Sequence, residues 1–263
     1  MPSLLAGQTN TETLEPPAED FGCTTLDTFP DSLEVTDFSP SQRELLDTLQ
    51  FTDFGTFLFS KRWRKVDGLT PNGDKITLGC HFFNGNPSQQ QTVIDAASDW
   101  LTGELGNFID FRFGVDRNES QIRIQLGGNR NNSYVGRDNN SIPKNRQTMN
   151  LANFNSAATV KHEFGHALGL RHEHRFPGAI EFREDVVVSE MRDKHGWTTA
   201  QTYRNILTPL GSSAKCIGDP ELNEKSIMMY TIPRRWTVDG KRFSRAGVIT
   251  ERDRNCLWGV YSA

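Results

Sequence analysis

Hydrophobic residues recur at two periods along this chain, and the change of period marks out its elements. Ile76, Leu78, Cys80 and Phe82 alternate with other residues, the period-two pattern of a half-buried strand. Asn86-Pro87-Ser88 then supplies a helix start. Val93, Ile94, Ala97, Trp100 and Leu101 give that helix a buried face as far as about residue 101. Phe108 to Val115 and Gln121 to Leu126 predict two further strands. Residues 127–145 are rich in Gly and Asn and read as a surface loop around Ser133-Tyr134-Val135-Gly136, followed by one more short strand, Thr148 to Leu151. With Asn155 or Ser156 as N-cap, Ala157, Ala158, Val160, Phe164, Ala167 and Leu168 then fall at helical spacing. Beyond residue 174 the pattern thins. Glu184 to His195 and Ala200 to Leu207 predict helices, and Thr250-x-x-Asp253 is a capping box that opens a last helix to about Tyr261. The result is an α+β chain with a sheet-bearing first half and a looser second half.

Composition adds a boundary. The chain has 263 residues, 35% of them hydrophobic, enough for a sizeable core, and no run of 18 apolar residues to span a membrane. Residues 1–60 carry 11 acidic residues against the single basic Arg43, a net of −10, while the remainder carries +6. That asymmetry sets residues 1–60 apart as an acidic leader, either lying across the basic remainder or extended in solvent. Ser41 to Leu49 is its one helical candidate, and the composition becomes domain-like from Trp63. No basic stripe with interleaved aromatics points to nucleic acid. Cys23, Cys80, Cys216 and Cys256 lack zinc-ligand spacing and leave the redox compartment open. Residues 1–17 show no apolar core of a secretory signal.

Four of the six histidines lie between His162 and His174, in the pattern H-E-x-x-H-x-x-G-x-x-H. His162 and His166 are one helical turn apart, so both imidazoles reach one ion at the ~2.0–2.1 Å that zinc requires. A straight helix cannot bring up the third ligand. Gly169 lets the chain take φ > 0 and turn, so that His172 approaches from outside the helix axis. Three protein ligands leave a fourth position for water, the mark of a catalytic zinc site, with one Zn2+ per chain. Glu163, next to the first ligand, is placed to activate the zinc-bound water and pass its proton to a leaving amine. The reaction this predicts is hydrolysis of internal peptide bonds in protein or peptide substrates. A zinc-binding scaffold without hydrolytic activity, or a hydrolase of non-peptide amides, are the other classes such a site allows. His174 has no place in the spacing and reads as a surface or supporting residue.

Residues 162–172 resemble the metzincin zinc endopeptidases. Ser226-Ile227-Met228-Met229-Tyr230 resembles that group's Met-turn, which implies Met228 packing beneath the zinc ligands. Glu173 after the third histidine, with His174 and Tyr230, resembles the astacin branch; serralysins and matrixins share Ala167-Leu168-Gly169-Leu170. The resemblance covers about residues 61–263. It implies a twisted mixed sheet with helices in an upper subdomain (61–172), and a mostly irregular lower subdomain (173–263) ending in a helix. Zinc would lie in the cleft between them. It implies Tyr230 as a weak fifth ligand or a phenol that stabilises the oxyanion. It also implies Tyr134, Val135 and Gly136 as the rim strand that pairs with an extended substrate. Arg234 and Arg235 would fall near a primed-side pocket and favour an acidic residue there. The family implies secretion, and a leader that offers an aspartate to the metal. The astacin Phe-x-Gly-Asp stretch is absent here, which leaves Asp37 and Asp53 for that role.

Overall fold

The computed structural model describes residues 23–26, 61–69, 75–210 and 221–262. The helical candidate at Ser41 to Leu49, and Asp37 and Asp53, lie outside them. Six strands form one sheet: β1 (Cys23–Leu26), β2 (Ile76–Phe82), β3 (Ile109–Phe113), β4 (Ile122–Leu126), β5 (Asn131–Tyr134) and β6 (Met149–Leu151), in the order β1-β5-β6-β4-β2-β3. All neighbours run parallel except β5 and β6. The sheet is therefore mixed, with its single antiparallel pair next to the leader strand.

Helix α1 (Pro87–Ser98) starts with a reciprocal capping box between Asn86 and Gln89 and buries Val93, Ala96 and Ala97; a 3-10 turn then buries Trp100. Helix α2 (Ala157–Ala167) is N-capped by Ser156, whose hydroxyl accepts from the Thr159 N–H. Both helices share one core with the sheet and with the last helix, α4 (Glu251–Tyr261), through Leu78, Ile122, Ile124, Val160, Phe164, Leu257 and Val260. The Trp100 indole N–H donates to the Lys161 carbonyl, and the Trp63 indole N–H to the Ala167 carbonyl. Tyr261 Oη donates to the Leu168 carbonyl, so three aromatic side chains fix the rotation and the C-terminal end of α2.

The lower part has fewer regular elements. Helix α3 (Glu184–His195) and the short helical stretch Thr199–Thr202, continued by a wider turn Tyr203–Leu207, enclose a second, smaller core. It contains Val187, Met191, Ile206, Met229, Ile232 and Trp236. Two expectations need correction. The stretch 127–145 is not all loop: it contains β5 and a 3-10 turn, Gly136–Ser141. Ile94 and Leu101 are only half-buried, and Ala96 takes their place on the inner face of α1. Cys256 is disulfide-bonded, and Cys80 is a buried free thiol. No helix among the described residues is long and apolar enough to cross a membrane.

Candidate active site

Helix α2 carries His162, Glu163 and His166, all fully buried. It ends where Gly169 takes φ 110°, a region that strains any residue with a Cβ. The Leu170 N–H donates to the Gly165 carbonyl at 2.9 Å and the Gly169 N–H to the His166 carbonyl at 2.8 Å, the paired bonds of a Schellman motif. The reversed chain brings His172 back over the helix. Its ring lies 4.6 Å from that of His166 and 5.3 Å from that of His162, and one ligand nitrogen from each histidine falls within 4.8 Å of the others.

The donor set fits zinc. His162 Nδ1 faces the Ile227 carbonyl at 2.8 Å and His166 Nδ1 the Leu170 carbonyl at 2.8 Å. A carbonyl only accepts, so each Nδ1 carries the proton and each Nε2 keeps its lone pair for a metal. His162 Nε2 is buried with no hydrogen-bond partner, and His166 Nε2 sits 3.0 Å from His172 Nε2. Buried imidazole nitrogens turned on one another call for a cation between them. Burial also pushes the proton affinities of all three histidines well down, so they stay neutral.

Met228 lies directly beneath. A Cβ added at Gly165 would come within 2.4 Å of the Met228 sulfur, so the thioether packs against the helix turn between the two ligands. The Glu173 N–H donates to the Met228 carbonyl at 3.0 Å, and Glu173 Oε1 accepts from the Asn223 N–H at 2.8 Å. Tyr230 is buried beside the triad, its ring 4.1 Å from that of His172 and 4.4 Å from that of His174. His174 is no surface residue. It is fully buried, its Nε2 meets the Asn205 carbonyl at 3.1 Å, and its ring backs Tyr230.

The segment Tyr134 to Gly136 is held by neighbouring chain. The Tyr134 N–H donates to the Thr148 carbonyl, and the Tyr134 and Gly136 carbonyls accept from the Asn139 side chain. The Val135 carbonyl accepts from the Asp138 N–H. Strand alternation then leaves Asn131 and Ser133 facing outward from β5, the edge on which β1 lies with Cys23 opposite Asn131 and Leu26 opposite Tyr134. Gly136, at φ 50°, is pressed against the Lys61 carbonyl, and Lys61 ion-pairs with buried Asp138. Arg234 donates to the Gly240 carbonyl, and Arg235 is paired with Glu190. The cation whose field reaches His162 is Arg245, which also donates to Thr159 Oγ1. No spacing rule links it to the motif.

The matrixin family model matches residues 56–182. A solved structure of myroilysin is 26% identical, with a TM-score of 0.65 over 79% of this chain and 98% of that one. A second myroilysin crystal structure, 24% identical, covers 94% of both chains at a TM-score of 0.55. High choriolytic enzyme 1, a hatching enzyme zinc-protease from Oryzias latipes (medaka fish), shares the fold at 13% identity, with a TM-score of 0.53 over 77% of this chain and 98% of that one. No curated protein sequence matches the chain. With the histidine triad in place, these likenesses support a zinc metalloprotease of the metzincin type.

Proposed function

We propose that the chain is an astacin-like endopeptidase cleaving internal bonds of protein or peptide substrates, with Glu163 as general base and Tyr230 assisting. The observation that carries this reading is the burial of Glu163 next to His162, with the Tyr230 ring tilted against that of His172 at 4.1 Å. Zinc, when held by His162, His166 and His172, supplies the Lewis acidity that polarises a peptide carbonyl and acidifies water. Glu163 takes the proton from the attacking water on a carboxylate oxygen and delivers it to the leaving amine nitrogen. The Tyr230 hydroxyl donates to the oxyanion as it develops. Glu173 and Tyr230 favour the astacin branch. The matrixin match spans Glu173 and ends at residue 182, before the Met-turn and Tyr230.

The substrate pairs as an extended strand with β5, on the outward N–H and C=O groups of Asn131 and Ser133 and beside Tyr134, Val135 and Gly136. Residues 1–60 act as an inhibitory leader in this reading, and β1 lying on that edge supports it. A disulfide at Cys256 suits an oxidising compartment. The test is Glu163→Gln. It should keep fold and zinc while cleavage of an unfolded protein substrate falls by about 10²–10⁴-fold, the usual worth of a general base. Undiminished cleavage by a folded, zinc-loaded variant would remove Glu163 from this role.

A further inference from the structure

Asp253 does more than start a helix. It occupies the third position of α4 and is 5% exposed. Its capping role uses one acceptor bond, from the Thr250 N–H to Oδ2 at 2.9 Å. The other three bonds reach a different segment. Oδ2 also accepts from the Ile227 N–H at 3.1 Å, and Oδ1 accepts from Ser226 Oγ at 2.5 Å and Asn223 Nδ2 at 3.3 Å. Ser226 Oγ in turn accepts from the Met228 N–H at 2.9 Å. One carboxylate thus clamps the turn that carries Met228 from beneath.

The clamped turn bears on the metal site directly. The Ile227 peptide that donates its N–H to Asp253 is followed at once by the Ile227 carbonyl that accepts from His162 Nδ1. Asn223 passes the same support to Glu173 through its backbone N–H. We propose that Asp253 is a positioning residue for the zinc site. By fixing Ser226 and the Ile227 peptide, it aims the Ile227 carbonyl at His162 and so holds Nε2 toward the metal. This rests on the zinc reading of the histidine triad and extends it to a residue 91 positions away in sequence.

An Asp253→Asn side chain cannot reproduce the clamp. Each carboxylate oxygen meets an N–H donor from the 223–227 turn, so the amide nitrogen faces a donor in either orientation. The experiment compares Asp253→Asn and Ser226→Ala with Thr250→Val, which removes the cap oxygen and its bond from Asn223 Nδ2 but leaves the Asp253 bonds to Ser226 and Ile227. Thermal unfolding reports the fold, chelator competition gives zinc affinity, and the visible spectrum of the cobalt-substituted protein reports ligand geometry. Asp253→Asn and Ser226→Ala should weaken zinc by about 10–100-fold, the range for loss of a ligand's supporting partner, and shift the cobalt bands. Thr250→Val should lower the melting temperature alone. Zinc affinity and cobalt bands unchanged in folded Asp253→Asn and Ser226→Ala would overturn the proposal and leave Asp253 a helix cap. Should Asp253→Asn not fold, Ser226→Ala decides in the same way. A parent chain that binds neither metal would overturn the zinc reading, and the proposal with it.

Discussion

The upper and lower parts of the molecule solve the same problem with different chemistry. The upper part, around helix α2, buries a broad apolar core between one sheet and helices α1, α2 and α4. The lower part has a small core around Met191, Ile232 and Trp236, and supplements it with charged and polar pins. Glu190 is the clearest pin: it accepts from Arg235, from Lys194 Nζ at 2.6 Å and from the Trp236 indole at 2.8 Å. Arg175 Nε ties the chain after the third ligand to the Thr208 carbonyl in the same manner. The difference bears on function. Two ligands and Glu163 sit on a helix locked by apolar packing. His172, Glu173 and Tyr230 arrive on irregular chain and depend on hydrogen bonds for their place.

Three substitutions break or sharpen that contrast. The largest effect is expected where the two parts touch, at Gly165→Ala. The added methyl meets Met228 Sδ and, at 3.1 Å, the Trp100 ring. Overpacking there should cost about 1–3 kcal/mol in a thermal or denaturant melt, and activity should fall as the floor of the site moves. A melt and a cleavage rate equal to the parent's would show that Met228 is free to yield. Glu190→Gln tests the lower part alone. Hydrogen bonds from Arg235 hold the Glu190 carboxyl down at about 2, against 4.5 for a free carboxyl. Its contribution is therefore complete above about pH 4.5 and lost as the pH falls toward 2. The variant should lose about 1–2 kcal/mol at neutral pH, and its deficit should close on acidification across that window. A deficit that does not vary with pH would contradict the ion-pair account. The smallest effect is expected from Arg234→Ala. Its guanidinium meets only a loop carbonyl in the described contacts, so cleavage-site profiling should show no change in preference beside the scissile bond. A lost acidic preference would put Arg234 back at a substrate pocket.

The same contrast explains what the sequence disclosed. Strands β2, β3 and β4 and helices α1 and α2 were legible because their burial follows a period, as with Leu78, Cys80, Val160 and Phe164, and α4 from its capping box. The ligand helix was legible from spacing alone, since His162, His166 and the turn at Gly169 are local geometry. Strand β5 was hidden because Asn131, Asn132 and Ser133 carry no apolar alternation; neighbouring backbone, not composition, makes them a strand. Asp253 was visible only as a capping residue, and its bonds to Ser226 and Ile227 exist only once α4 packs beneath the turn. For His174 the spacing left surface and supporting roles open, and burial of its ring against Tyr230 selects the supporting one.

The central claim is that His162, His166 and His172 hold a catalytic zinc ion and that residues 1–60 restrain its use on substrates. The most direct measurement is metal analysis together with peptide cleavage, with and without chelator, on the full chain and on residues 61–263. The account predicts one zinc per chain in both forms. It also predicts cleavage that is faster in the shorter form, is abolished by chelation and returns with added zinc. Zinc-free protein, or cleavage that chelation leaves untouched, would contradict it.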